Sequence, residues 1–283
     1  MKVRKASVMK KTQLGQVPVY TFSLFSGYPE IVHFSTTRQG GQSGDAYRSL
    51  NLGFHSGDEH TNVQTNRKIL IEALGLNPQQ LVFGVQTHST RIARITPEIL
   101  GWNDETRRMK LGGTDALITN EPNICIAVKT ADCIPVLLYD KKNKAAAAIH
   151  AGWRGTVGRI VARTIETMHT EFGTQPNDLI AGIGPGIGPD IYQVGPEVVE
   201  MVHQNLGNNH GLVQYLLSQN DEQTTPHLNL WKANLLQLIE AGLYRENIEV
   251  AELCTFSHPE DFFSARRDGT ATGRMASGIM ITK

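Results

Sequence analysis

The fold is decided by residues 124–172, ICIAVKTADCIPVLLYDKKNKAAAAIHAGWRGTVGRIVARTIETMHTEF. Three short apolar runs within it, Ile124–Lys129, Val136–Tyr139 and Ala145–His150, are bounded by turn formers and read as strands. The first two follow one another with no room for a helix between them. After the third the period changes. Val157, Ile160, Val161, Ile165, Met168 and Phe172 recur at three- and four-residue spacing, and Gly173 offers a stop. Strands joined directly in one place and through a helix in another imply mixed sheets with helices on their faces. The expected fold class is α+β (mixed α/β), in one compact domain.

Working outward, further strands are expected at Val19–Phe25, Ile31–Ser35, Leu81–Val85, Arg91–Ile95, Ala116–Thr119, Leu179–Ile183 and Ile248–Leu253. Helical spacing recurs over Asn62–Leu74, and over Leu230–Leu243 with Leu235, Leu238 and Ile239 facing inward. The weakly patterned Gly207–His227 reads as a surface excursion. Residues 1–11 read as a flexible basic start, and 12–283 as the single domain. The 283 residues carry 27 basic and 27 acidic side chains, so net charge is zero, which opposes a nucleic-acid or anionic-membrane partner. No run of 18 apolar residues offers a membrane span. Three cysteines do not make a disulfide framework. These features fit a soluble, cytoplasmic protein.

Three side chains stand out at strand ends, where a rigid sheet hands over to a loop. They are His88 in Val85-Gln-Thr-His-Ser89, Cys133 in Lys129-Thr-Ala-Asp-Cys133, and His150 at the end of the alanine-rich strand. Two imidazoles and a thiolate suit zinc with a fourth position left open, and they also suit copper. Their spacing matches no local motif such as HExxH. By spacing alone, a buried cysteine beside two backbone-bonded histidines fits as well.

A longer set of motifs bears on that choice. Thr36-Thr-Arg-Gln-Gly-Gly41, Ser49-Leu-Asn-Leu-Gly53, His55, Gly57-Asp58 and Asn66-Arg67 come first. Gln86-Thr-His88, Thr114-Asp-Ala116, Thr130-Ala-Asp-Cys133, His150-Ala-Gly-Trp-Arg-Gly155, Gly184-Pro185, Phe263-Ser264 and Arg266-Arg-Asp268 follow in order. Together they resemble the bacterial multicopper polyphenol oxidase or laccase-domain family, also described as a purine nucleoside phosphorylase family, over about residues 31 to 281. The resemblance implies a catalytic domain with one zinc held by His88, Cys133 and His150. It implies phosphorolysis of adenosine, inosine and methylthioadenosine, with adenosine deaminase as a side activity. An older family label is copper oxidase, yet the ten histidines here form no HxH pair of the kind multicopper oxidases use. An amidase acting on cell-wall precursor peptides, with Cys133 as nucleophile, is the rival reading.

The partners so implied are small purine nucleosides and phosphate, and nothing in the pattern opposes a homo-oligomer. Phosphate needs a cationic grip, for which a planar guanidinium is well suited. Arg38 and Arg154 sit inside the family motifs and are expected to contact substrate or phosphate in the pocket. Arg266 is a further candidate for substrate, and one of Arg266 and Arg267 is expected to pair with Asp268. Asp132 and Asp115 are candidates for orienting a ligand histidine or carrying a proton. Gly182-Ile-Gly-Pro-Gly-Ile-Gly188 satisfies neither GxGxxG nor a P-loop and reads as tight turns.

Overall fold

The computed structural model describes residues 9–207, 211–217 and 224–282. Its strands and helices begin, in chain order, with β1 (Lys10–Leu14), β2 (Val17–Thr21), β3 (Ile31–Thr36), α1 (His60–Leu74), β4 (Leu81–Phe83), β5 (Arg91–Arg94) and α2 (Asp104–Lys110). The middle of the chain supplies β6 (Thr114–Thr119), β7 (Cys125–Thr130), β8 (Ile134–Asp140), β9 (Ala145–Ala151), α3 (Trp153–Val157), α4 (Ile160–Phe172) and β10 (Leu179–Ile183). The last third adds α5 (Pro196–Leu206), β11 (Val213–Leu217), β12 (Thr224–Leu228), α6 (Leu230–Glu240), β13 (Ile248–Val250), α7 (Ala265–Asp268) and β14 (Met275–Ile281). Two six-stranded mixed sheets result, ordered β1-β2-β3-β14-β7-β4 and β13-β10-β8-β9-β6-β5, beside the β11-β12 hairpin. The fold is α+β, as the mixed pattern of residues 124–172 requires.

Strand β9 shows why the layers stack as they do. Ala145, Ala147, Ile149 and Ala151 face one core with Ile160, Val161, Ile165 and Met168 of α4. Ala146 and Ala148 face the opposite core with Val82, Ile126, Val128 and Ile279 of the other sheet. All seven β9 residues are buried, so small side chains let a helix approach one face and a second sheet the other. A third core, with Phe34, Leu50, Leu52 and Leu70, places α1 on the far face of the first sheet. The order of layers is helix, sheet, sheet, helices.

Several expectations need correction. The Val157–Phe172 helix is two helices, broken at Gly158 and at Arg159, whose φ of 61° is left-handed. Ile239 is 40% exposed rather than inward, although Leu238 is buried. Lys10 and Lys11 of the basic start pair with Thr21 and Tyr20 in β1, whereas residues 1–8 lie outside the described residues. Part of the Gly207–His227 excursion is the β11-β12 hairpin, and Leu212 and Leu228 join the core; residues 208–210 and 218–223 lie outside the described residues. Val19–Phe25 ends as a strand at Thr21, and Ile248–Leu253 ends at Val250. The pattern also missed β14, which sits between β3 and β7. Its Gly278 hides the apolar period because the Phe34 ring lies where a Cβ would stand, 2.7 Å away.

His33 on β3 gives a pH test of this packing. Its ring lies 4.8 Å from the Phe25 ring and its Nε2 accepts the Phe22 N–H at 2.9 Å. Burial pushes its pKa from 6.5 down to about 4. Between those values the unfolded chain binds a proton that the folded chain refuses, so stability falls as pH falls through that window and is full above it. The loss is at most about 3 kcal/mol. His33→Gln, which can still accept the Phe22 N–H, should flatten the dependence of the urea midpoint on pH between 4 and 6.5. An unchanged slope would assign the acid sensitivity to other groups.

Candidate metal centre and cleft

Sheet pairing builds the centre. Strands β8 and β9 are antiparallel, with Pro135 opposite His150 and Ile134 opposite Ala151, so Cys133, one residue before β8, meets His150. Strand β4 runs parallel to β7, and the loop after it carries His88 to the edge from which residues 131–133 depart. One ligand atom from each of His88, Cys133 and His150 lies within 4.8 Å of the others. Their rings and sulfur descend from exposed His88 through partly buried Cys133 to buried His150. Gly152 completes the fit, since a Cβ there would stand 2.9 Å from Cys133 Sγ and 3.1 Å from His88 Cδ2.

Asp115 on β6 holds the arrangement from beneath. It lies 2.7 Å from His150 Nδ1, which turns the Nε2 face of that ring toward Cys133. It also accepts the backbone N–H groups of Thr87, His88 and Ser89 at 3.1, 3.0 and 2.8 Å. Those bonds hold His88 at a left-handed φ of 61°, a conformation that costs about 1–3 kcal/mol outside glycine. Asp132, next to Cys133, is also left-handed at φ 89°. Its carboxylate accepts from Thr255 Oγ1 at 2.6 Å and from the Arg266 N–H at 2.7 Å. Asp132 is thus a brace for the ligand loop.

The donor set suits a metal. Burial opposes ionisation of the Cys133 thiol, but the charge and hydrogen bonds of His150 and His88 overcome it and lower its pKa. Burial likewise opposes protonation of His150, and Cys133 and Asp115 overcome it. A thiolate held between two rings, one ring anchored by a carboxylate, is the arrangement that binds zinc or copper.

The triad lines a cleft of about 1250 Å³. Arg67, Lys68, Arg107, Arg108, Lys129, Arg266 and Arg274 line it against two carboxylates, Asp104 and Asp132. Seven cations against two carboxylates give this cleft an excess of positive charge in a chain that is neutral as a whole, which favours an anionic ligand. Phe54, His60, Phe83 and Tyr192 supply aromatic faces.

The arginines expected from the sequence divide. Arg266 lines the cleft and lies over the Tyr192 ring at 5.3 Å. Arg267 pairs with Asp268 at 2.8 Å. Arg38 does not line the cleft; its Nε and Nη1 donate to the Arg48 and Pro259 carbonyls, and its guanidinium lies over Phe263. Arg154 does not line it either. It is exposed and stacked on Trp153 at 4.4 Å, near enough for its charge to act on Tyr192. Lys129 was missed, though a lone charge ending an apolar strand is itself a signal. Arg274 and Tyr192 carry no such signal, because they are reached only through the tertiary fold.

The model of the family described as multi-copper polyphenol oxidoreductase laccase matches residues 32–282. This chain belongs to that family. It is 45% identical over 263 residues to the purine nucleoside phosphorylase of Bacteroides thetaiotaomicron, covering 93% of this chain and 96% of that protein. It is 37% identical to the adenosine deaminase RL5 of an unknown prokaryotic organism, covering 87% and 92%. The crystal structure of YlmD from Geobacillus stearothermophilus superposes with a TM-score of 0.85 at 31% identity, covering 96% of this chain and 99% of that one. The family resemblance seen in the motifs therefore holds along the chain. No helix among the described residues is long and apolar enough to cross a membrane.

Proposed function

We propose that this chain is a zinc-dependent purine nucleoside phosphorylase acting on inosine, adenosine and methylthioadenosine, with adenosine deamination as a second activity. The observation that carries this reading is the convergence of His88, Cys133 and His150 in a cleft rich in cations and aromatic faces. The name of the Bacteroides relative supports it. Zinc at these three residues would act as a Lewis acid with one position open. In phosphorolysis a phosphate oxygen forms a bond to C1′ of the ribose while the C1′–N9 bond breaks. The electron pair passes to the purine, which takes up a proton.

The chain's own residues would share the remaining work. The aromatic faces of the cleft would stack the purine, and Arg266 would reach the bound substrate. Asp132 would fix the loop that carries Cys133 against the backbone of Arg266. Arg38 and Arg154 would support the site from outside the cleft. Deamination of adenosine adds water at C6 and releases ammonia; the name of the RL5 relative supports this second activity. The multicopper label fits less well, because among the described residues metal-ligand side chains converge in this one group.

The test separates products by chromatography. Inosine should give hypoxanthine and ribose 1-phosphate only when phosphate is supplied. Free ribose formed at an equal rate without phosphate would make the protein a hydrolase.

A further inference from the structure

Among the cleft cations that form no ion pair with a described residue, Arg67 and Lys129 share one aromatic ring. Arg67, on α1, is clamped between the rings of Phe54 and Phe83 at 4.1 and 4.7 Å, and its Nε and Nη2 donate to the Leu52 carbonyl at 3.1 and 2.9 Å. Lys129, on β7, lies 4.8 Å from the same Phe83 ring and donates to the Gly84 carbonyl at 3.1 Å. Both line the cleft, and among the described residues neither forms an ion pair. Of the carboxylates whose charge reaches them, Asp115 is occupied by His150 and three backbone N–H groups, and Asp104 acts on Arg67 only from a distance.

Two like charges side by side in a partly buried site are costly, and such an arrangement persists where an anion offsets it. Burial first, then the charge of Arg67, pushes the Lys129 pKa down to about 7. The Phe83 ring lies against both cations, and both side chains line the cleft. The position is suited to the reaction as well, because Lys129 stands four residues before Cys133 on the strand that leads to the metal ligands.

We propose that Arg67 and Lys129 form the oxyanion subsite of this cleft, which takes a tetrahedral phosphate group. That the occupant is inorganic phosphate rests on the phosphorylase reading; the phosphate of a nucleotide has the same chemistry, and the test separates the two.

Binding of inorganic phosphate and of adenosine 5′-monophosphate is measured by calorimetry on metal-loaded wild-type protein, Lys129→Met and Lys129→Arg. Replacing a buried cation by an isosteric apolar chain leaves the fold intact, which a thermal melt verifies. Lys129→Met should weaken inorganic phosphate binding about tenfold to a hundredfold, and Lys129→Arg should restore most of it. The KM for phosphate should rise by a similar factor, with a smaller change in kcat. If only the nucleotide's binding depends on Lys129, the subsite stands with a nucleotide as its occupant and the inorganic-phosphate assignment is overturned. If Lys129→Met binds both as wild type does, the subsite is refuted. Phosphate binding that depends on Lys129 in a protein without phosphorolysis would uphold the subsite while removing the proposed function.

Discussion

Replacing Asp115 with alanine is expected to lower stability by about 3–5 kcal/mol and to weaken zinc binding ten- to a hundredfold. The carboxylate serves four partners at once: His150 Nδ1 and the N–H groups of Thr87, His88 and Ser89. Its side chain is fully buried, so its removal leaves these donors without an acceptor away from bulk solvent. Burial opposes its ionisation, yet the bond to His150 and the neighbouring N–H groups hold its pKa below the ordinary carboxylate value. Without it the left-handed turn at His88 loses its restraint and the His150 ring loses its orientation. Asp115→Asn keeps one acceptor oxygen and should show a smaller loss of both properties. Urea unfolding and competition with a zinc-binding dye measure the two quantities. An alanine variant within about 1 kcal/mol of wild type, with undiminished zinc affinity, would show that the ligands are oriented by packing alone.

The second large effect is expected at Cys133. The thiolate is the one anionic donor of the triad, so Cys133→Ala should lose most of its zinc and reduce turnover by about a thousandfold or more. The fold should survive, because the side chain is only partly buried and one sulfur is removed without a new group. Elemental analysis of the purified variant, paired with its melting temperature, separates loss of metal from loss of structure. A folded Cys133→Ala protein that retains stoichiometric zinc would move the metal elsewhere. A folded Cys133→Ala protein that retains turnover would remove Cys133 from the chemistry.

Period and turn chemistry made most of the sheets legible. Leu179–Ile183 and the pair of strands around residues 125–140 follow from apolar runs between turn formers. Strand β14 did not, because Ser277 and Gly278 interrupt its pattern for reasons that reside in Phe34 and Ser35 on the neighbouring strand. The break between α3 and α4 hid behind an unbroken apolar spacing, since the left-handed Arg159 leaves the buried stripe continuous. At the site, the strand-end positions of His88, Cys133 and His150 were visible, but their convergence depends on the parallel pairing of β4 with β7, which no local pattern encodes. The arginines show the limit most clearly. Arg154 follows closely on a ligand in sequence and stacks on Trp153 without lining the cleft, whereas Arg67 and Lys129 reach the cleft from α1 and β7.

The most direct test of a metal-dependent phosphorylase is reconstitution. Protein stripped of metal is titrated with zinc while phosphate-dependent release of hypoxanthine from inosine is followed. The account predicts no turnover in the stripped protein and a rise that ends at one zinc per chain. Full turnover in the stripped protein would contradict it and turn attention to the Cys133 thiolate as a nucleophile.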